Sequence, residues 1–377
     1  MDFDLSEEQR AIQETARAFA RAEMMPHAKG WDENSTFPVE TLRKAAALGF
    51  GGIYLKDDVG GSALTRLDAT IIFEELAQGC TSTAAYISIH NMAAWMIDAF
   101  GGEEPRRRFL PKLTTMEHFA SYCLTEPDSG SDAASLKTRA VRDGDHYVLN
   151  GTKAFISGGG VSDIYVCMVR TGEGGPRGIS CIVVEKGTPG LSYGAQEKKL
   201  GWKSQPTAMV MFENCRVPAE NLIGEEGQGF KIIMHNFNSE RMGMAASCTA
   251  YARVCVEEAI AYARERKTFG KPIAQHQVIR HKLVDMAQKV AASQAMLEML
   301  AWRLGQGESP VAEICMMKNQ ATQTMAFCAS EAVQIFGGAG FMRGVKVERI
   351  YREVKVNAIG GGTEEIMKDL ASRQMGL

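Results

Sequence analysis

Apolar residues recur three and four positions apart over residues 7–28, 66–78, 83–100 and 103–113. That spacing lines one face of a helix. Pro38 stands at a first-turn position, and the glycines of 49–52 close the helix it opens. Residues 1–117 therefore predict an N-terminal helical domain. The period then changes. "HYVLNGTKAFIS" reads as two strands joined at Asn150-Gly151, a two-residue hairpin signal. "DIYVCMVRT", "GISCIVVEKG" and "TAMVMFENC" are further short strands bounded by Gly and Pro. Residues 118–225 predict a middle β domain, a barrel or sandwich. Helical spacing returns in three long runs, 228–264, 275–305 and 309–336. Gly337-Gly338-Ala339-Gly340 breaks the chain, and a last helix is predicted over 363–375. Long helices with short connections predict a C-terminal four-helix bundle over residues 226–377. The fold class is α+β and multidomain, in the order α, β, α.

Composition narrows this only slightly. The 377 residues are 45% hydrophobic and 23% charged, as in ordinary globular proteins, and the net charge of −3 gives no general pull toward nucleic acid or an anionic membrane. No apolar run is long enough to span a bilayer. The acidic opening "MDFDLSEEQR" is unlike a secretory or transit peptide, so the expected location is the cytoplasm. Nine cysteines without a CxxC pair point to reduced thiols and to no metal site. Neither GxGxxG nor GxxxxGK[ST] occurs. "GLSYG" matches a nucleophile elbow but lacks the following helix. "DSGSD" lacks the closing acid of a calcium loop, and His276 and His281 lack companion ligands.

Four stretches carry candidate chemistry. "YCLTEPDSGSDAASLKTRA", from Tyr122, is a long polar loop dense in backbone donors and hydroxyls: a surface loop or a binding loop. "RERKTFGKPI", from Arg264, ends a long helix, where cations complement the dipole or where Arg266 and Thr268 grip a phosphate beneath Phe269. In "FKIIMHNFNSERMGM", Phe230, Ile233, Phe237, Glu240 and Met244 share one helical stripe. A carboxylate there is either a base whose pKa is raised by burial or an edge residue that reaches solvent or pairs with Arg241. "NAIGGGTEEI" is either a helix stop and restart, with Thr363 as N-cap, or a place where the backbone must come close to a partner.

"YCLTEPDSGSD", "NGTKAFISGGG", "ERKTFGKPIAQHQ" and "QIFGGAGF", in this order across the whole chain, resemble the acyl-CoA dehydrogenase family. "TAAYISIHNMAAWMIDAFG", "FASYCLTEP" and "SDIYVCMVRTG" are most similar to the isobutyryl-CoA branch. "NAIGGGTEEIMKDLASRQMGL" is more similar to bacterial relatives of the isovaleryl and long-chain branches.

The resemblance implies FAD-dependent α,β-dehydrogenation of an acyl-CoA, with electrons leaving to electron-transferring flavoprotein. The implied substrate is short or branched (isobutyryl, isovaleryl or 2-methylbutyryl). Medium- or long-chain substrates, a redox-silent acyl-CoA binder or lyase, and an acyl-CoA oxidase are the alternatives. In most of the family the glycine stretch reads Tyr-Glu-Gly-Thr and its glutamate is the base. Here Gly361 stands in that place. In the isovaleryl and long-chain branches the base lies on the long helix, at the position of Glu240.

By the same resemblance the Gly361 N–H is half of an oxyanion hole. Thr125, Gly130 and Ser131 match the flavin loop, and Phe155, Ile156 and Ser157 match the segment against the flavin ring. Arg266, Thr268, Phe269, Gln277, Gln334 and Gly338 match residues holding the rest of FAD, several from a neighbouring subunit. Thr363 and Glu365 match further flavin contacts, while Asn238, Arg241 and Ser131 lie near the acyl-CoA. A cofactor shared between subunits implies a homo-oligomer, usually a tetramer.

Overall fold

Two reciprocal caps set the first helices of the computed structural model, which describes residues 4–377. Ser6 accepts from the Gln9 N–H while Gln9 returns a bond to Ser6, opening α1, Glu7–Phe19. Thr65 and Asp68 repeat the arrangement at the start of α4, Arg66–Gly79. Between them lie α2, Ala28–Asn34, and α3, Val39–Ala47. The single helix expected over 7–28 is shorter than its periodicity: it passes into a π-turn at Ala20–Met24 and restarts at Ala28. α5, Thr81–Phe100, and α6, Glu103–Thr114, complete the helical N-terminal part.

The middle part is one mixed sheet of eight strands. Its strands are β1, Ala120–Cys123; β2, Arg139–Asp143; β3, His146–Ser157; β4, Ile164–Arg170; β5, Ile179–Glu185; β6, Leu191–Tyr193; β7, Thr207–Pro218; and β8, Leu222–Ile223. The spatial order is β6-β7-β3-β2-β4-β5-β8, with β1 parallel to β4. β4 and β5 are buried at every residue but the last, Arg170 and Glu185, because both faces are covered. One face packs on Tyr147, Leu149 and Phe212 within the sheet. The other packs on Met96, Ile97 and Phe109 of α5 and α6 and on Ile232 and Ile233 of the following helix.

The hairpin expected at Asn150-Gly151 is not there. β3 runs unbroken through it, and the turn lies earlier, at Gly144-Asp145, where Asp143 pairs with His146. Gly151 is glycine for another reason. Its φ is +148°, and a Cβ there would sit 2.5 Å from Thr138 Oγ1. Close approach, not a turn, fixes the residue.

α7, Gly229–Glu265, α8, Gln277–Gly305, α9, Val311–Phe336, and α10, Lys346–Ile359, form the C-terminal bundle, and α11, Glu364–Gln374, packs on α9. α7 also packs on α4 and α5, so it is shared by the bundle, the N-terminal helices and the sheet. Among the described residues no helix is long and apolar enough to cross a membrane, no group of three acidic, His or Cys side chains is placed to hold a metal ion, and all nine cysteines are free and buried.

Candidate active site

The stripe on α7 changes neighbours halfway along. Phe230, Ile233 and Phe237 pack with the sheet, and Met244 packs with the bundle. Glu240 lies at the changeover, facing α5 and α4. Ser88 Oγ of α5 lies 3.1 and 3.3 Å from the two carboxylate oxygens and donates to them. Arg66 of α4 stacks over Tyr54 at 3.5 Å and Trp95 at 4.5 Å, near enough for its charge to act on Glu240. Burial pushes the Glu240 carboxyl above the usual carboxylate range; Ser88 and Arg66 oppose this but do not cancel it.

The alternative of a Glu240–Arg241 pair is not realised. Arg241 donates from Nε to the Gly361 carbonyl at 3.1 Å and from Nη1 to Asn238 Oδ1 at 3.4 Å. Met244 connects the stripe of Glu240 to the glycine loop. Met244 lies one turn beyond Glu240, and its Cε would be 3.2 Å from a Cβ at Gly361. The Gly361 backbone has φ +66°, and its N–H has no protein acceptor among the described residues. Thr363 caps α11 by accepting from the Ile366 N–H at 3.3 Å, and Glu365 is exposed in the first helical turn. The helix stop and restart expected of "GGGTEEI" is observed, and the restart leaves one backbone donor free.

A second group forms where the loop after β1 meets the end of β3. The Ala154 N–H donates to the Thr125 carbonyl at 2.8 Å. Lys153 is fully buried and donates from Nζ to Glu126 Oε1 at 2.7 Å and to the Leu124 carbonyl at 3.1 Å. Glu126 also accepts from the N–H groups of Lys137, at 2.6 Å, and Thr138, at 2.9 Å. Burial alone would raise the Glu126 pKa; Lys153 and these donors outweigh it, leaving the carboxyl below its usual range.

Next to this pair the β3–β7 register slips between Lys153 and Ile156. The bulge puts Phe155 at φ +57° with 66% of its surface exposed, while Ile156 stays buried. An exposed, left-handed phenylalanine is the kind of strain found at binding sites. Gly130 and Ser131 are exposed on the same loop, and nothing lies within 4 Å of a Cβ at Gly130. Ser157 accepts a bond from Gln205 Nε2. Gln205 Oε1 and, in the same turn, Trp202 Nε1 are buried without partners.

The remaining predicted residues stand apart. Strands β9, Lys267–Thr268, and β10, Lys271–Pro272, make a small hairpin with Phe269 and Gly270 both at positive φ. Its tip presents Phe269 at 96% exposure beside exposed Arg266 and Gln277, and Thr268 Oγ1 bonds His276 Nε2 at 3.3 Å. Gln334 and Gly338 are exposed at the end of α9, which Tyr262 ties to the end of α7 by stacking on Phe336 at 4.1 Å. No hydrogen bond, ion pair or ring contact among the described residues joins this corner to Phe155 or Thr125.

Comparison with known proteins gives the family. Residues 6–117, 121–215 and 227–376 match, in turn, the N-terminal, middle and C-terminal domains of acyl-CoA dehydrogenase. The chain belongs to the acyl-CoA dehydrogenase family. It is 53% identical over 372 residues to the mitochondrial isobutyryl-CoA dehydrogenase of Bos taurus, covering 98% of this chain and 89% of that one. The butyryl-CoA dehydrogenase of Megasphaera elsdenii superposes with a TM-score of 0.95 at 32% identity, covering 100% of both chains. PigA, solved with FAD and proline, superposes with a TM-score of 0.97 at 29% identity, again over 100% of both.

FAD is the cofactor of this family, and the residues here fit it. The exposed Phe155 ring, the open Gly130 backbone and the unpartnered polar atoms of Trp202 and Gln205 beside Ser157 suit a flat, polar-edged ring system.

Ser88, Arg66, Glu126, Lys153 and the fully buried Lys318 were not legible as site residues in the sequence. The usable signal was charge where burial was expected: Lys153 within a strand-like run, and Lys318 on the inner face of a helix. Replacing Ser88 by Ala removes the donor that favours ionised Glu240. The acid limb of the pH–rate profile should then move up by about one pH unit, the scale of a hydrogen bond to a charged group, with the neutral plateau unchanged. Stopped-flow flavin reduction across pH measures it, and an unmoved limb rules out Ser88 as the tuning group.

Proposed function

We propose that this enzyme converts a short or branched acyl-CoA to its 2-enoyl-CoA, with Glu240 as the base and the Gly361 N–H as a donor to the thioester carbonyl oxygen. The observation that carries the reading is the Glu240 carboxylate held by Ser88 on a stripe that meets a glycine loop with a free N–H. An α C–H beside a thioester is weakly acidic. Its removal needs both a base that is shielded from water and a donor for the oxygen on which charge develops. Glu240 takes the α proton onto its carboxylate, and the Gly361 N–H bonds the carbonyl oxygen as its charge rises. FAD, when bound, supplies the acceptor for the hydride leaving the β carbon.

Tyr54, Arg66, Thr70, Phe73, Ser239 and Gly243 enclose a cavity of about 10 Å3, room for a single water. The bovine relative named for isobutyryl-CoA supports a short or branched acyl group.

The exposed corner carrying Arg266, Thr268, Phe269, Gln277, Gln334 and Gly338 completes the cofactor site of a second copy, which makes the working form a homo-oligomer, a tetramer by family habit. Electron-transferring flavoprotein is the proposed acceptor. Anaerobic bleaching of the flavin with isobutyryl-, 2-methylbutyryl-, isovaleryl-, butyryl-, octanoyl- and palmitoyl-CoA tests the substrate class. Fastest reduction is expected among the four short or branched thioesters. Faster reduction by octanoyl- or palmitoyl-CoA overturns it.

A further inference from the structure

The glycine loop is fastened by two buried cations. Arg241, 4% exposed on α7, donates to the Gly361 carbonyl at 3.1 Å. Lys318, fully buried on α9, donates from Nζ to the next carbonyl, that of Gly362, at 2.6 Å. Among the described residues neither cation has a carboxylate within 4.0 Å; every ion pair found lies elsewhere. Arg241 has only Asn238 besides, and it lies 5.2 Å from the Phe237 ring centre. Glu364, the acid nearest in effect to Lys318, is bonded instead by Gln323 at 3.0 Å.

A neutral loop does not need two charges to hold it. Asn319 fastens the neighbouring Glu364 carbonyl at 2.9 Å with a neutral amide. Buried charge without a counter-ion is costly, so two such cations around one loop call for negative charge that arrives during function. Glycine also leaves φ and ψ free; fixing the carbonyls of Gly361 and Gly362 holds the two peptide planes that follow the Gly361 N–H and so narrows the range of directions it can take.

We propose that Arg241 and Lys318 are positioning residues for the oxyanion hole: they lock the Gly361 N–H toward the substrate and supply positive charge behind it as the thioester oxygen becomes an enolate oxygen. The inference rests on the function proposed above.

Lys318 also makes this arrangement pH-sensitive. It faces Cys248 and Arg241 from α7, Glu364 from α11 and Cys315 on its own helix. Burial lowers the Lys318 ammonium to about 8 and raises the Cys248 thiol to about 12. Above pH 8 the loop keeps a hydrogen bond and loses a charge.

Acetoacetyl-CoA tests this on the FAD-loaded enzyme, because it ionises at C2 without help and its enolate is read by absorbance. Lys318→Met should weaken enolate binding at least tenfold while leaving S-propyl-CoA, a thioether that lacks the thioester carbonyl, bound within twofold. Lys318→Arg should restore enolate binding and abolish its alkaline fall near pH 8. Arg241→Lys, which keeps the charge and loses the fork, should give an intermediate loss. Equal loss of both ligands in Lys318→Met, or unchanged enolate binding, overturns the proposal. Repeating the series in Glu240→Gln separates the two readings. Enolate binding there does not depend on the base, so the clamp can fail while the base stands, or the reverse.

Discussion

Replacing Glu240 by Gln lowers the anaerobic rate of flavin reduction by about 10^2- to 10^4-fold, the usual contribution of a positioned general base. Acyl-CoA binding persists, because Gln keeps the shape and can still meet Ser88. The same substitution changes stability in the opposite direction. The Glu240 carboxyl is raised in the folded protein, so the folded state holds its proton more tightly than the unfolded chain. Stability contributed by that proton is complete below the ordinary carboxylate pKa and is lost as pH rises through the higher folded value. At neutral pH the buried carboxylate is therefore a cost, which Gln removes. The variant should unfold at or above the wild-type temperature at pH 7, with the difference fading toward pH 4. Full reduction by Glu240→Gln would remove Glu240 as the base. Absence of reduction in the wild type, with acyl-CoA still bound, would mean that the fold has kept its ligand and lost its chemistry.

Replacing Lys153 by Met destabilises the protein by about 3–5 kcal/mol, the loss expected when one member of a buried ion pair is removed and the other stays charged. Glu126 is then left among the Lys137 and Thr138 N–H donors without its cation. The loop bearing Thr125 and the bulge bearing Phe155 are joined through this pair and one backbone bond, so FAD retention should fall with stability. Adding Glu126→Gln should recover part of the loss, since no unpaired charge then remains. Denaturant unfolding with and without added FAD measures both effects. A single variant as stable as the wild type would show that the pair carries no weight.

The sequence made Glu240 legible because a helix repeats every 3.6 residues: a lone carboxylate among Phe237, Ile233 and Met244 is visible without a structure. Its partners were not, because Ser88 and Arg66 come from helices whose placement no local pattern reports. Lys153 and Glu126 meet across 27 residues by strand register and loop path. Asn150-Gly151 misled because the same glycine serves a turn or a close approach, and only the neighbour, Thr138, tells which. Helix α10 went unread since Val347, Ile350, Val354 and Tyr351 have strand-like propensities; burial of the first three at helical spacing overrides them. At the corner carrying Phe269, local sequence offered a phosphate grip by Arg266 and Thr268 beside a plain helix end; Gln277, Gln334 and Gly338 were singled out only through the family resemblance, since no local pattern links them to that hairpin.

On the function proposed above, with the carboxylate on α7 and the backbone donor on the loop, proton removal and charge stabilisation reside on independently mutable parts. The loop is free of any obligation to carry an acid. Position 361 is limited only by its φ of +66° and by Met244, a flexible neighbour that can yield. Variation among residues 360–362 and at Met244 can reshape the acyl chamber without touching the base, which makes this loop an evolvable part of the enzyme and a natural place to retune its substrate range.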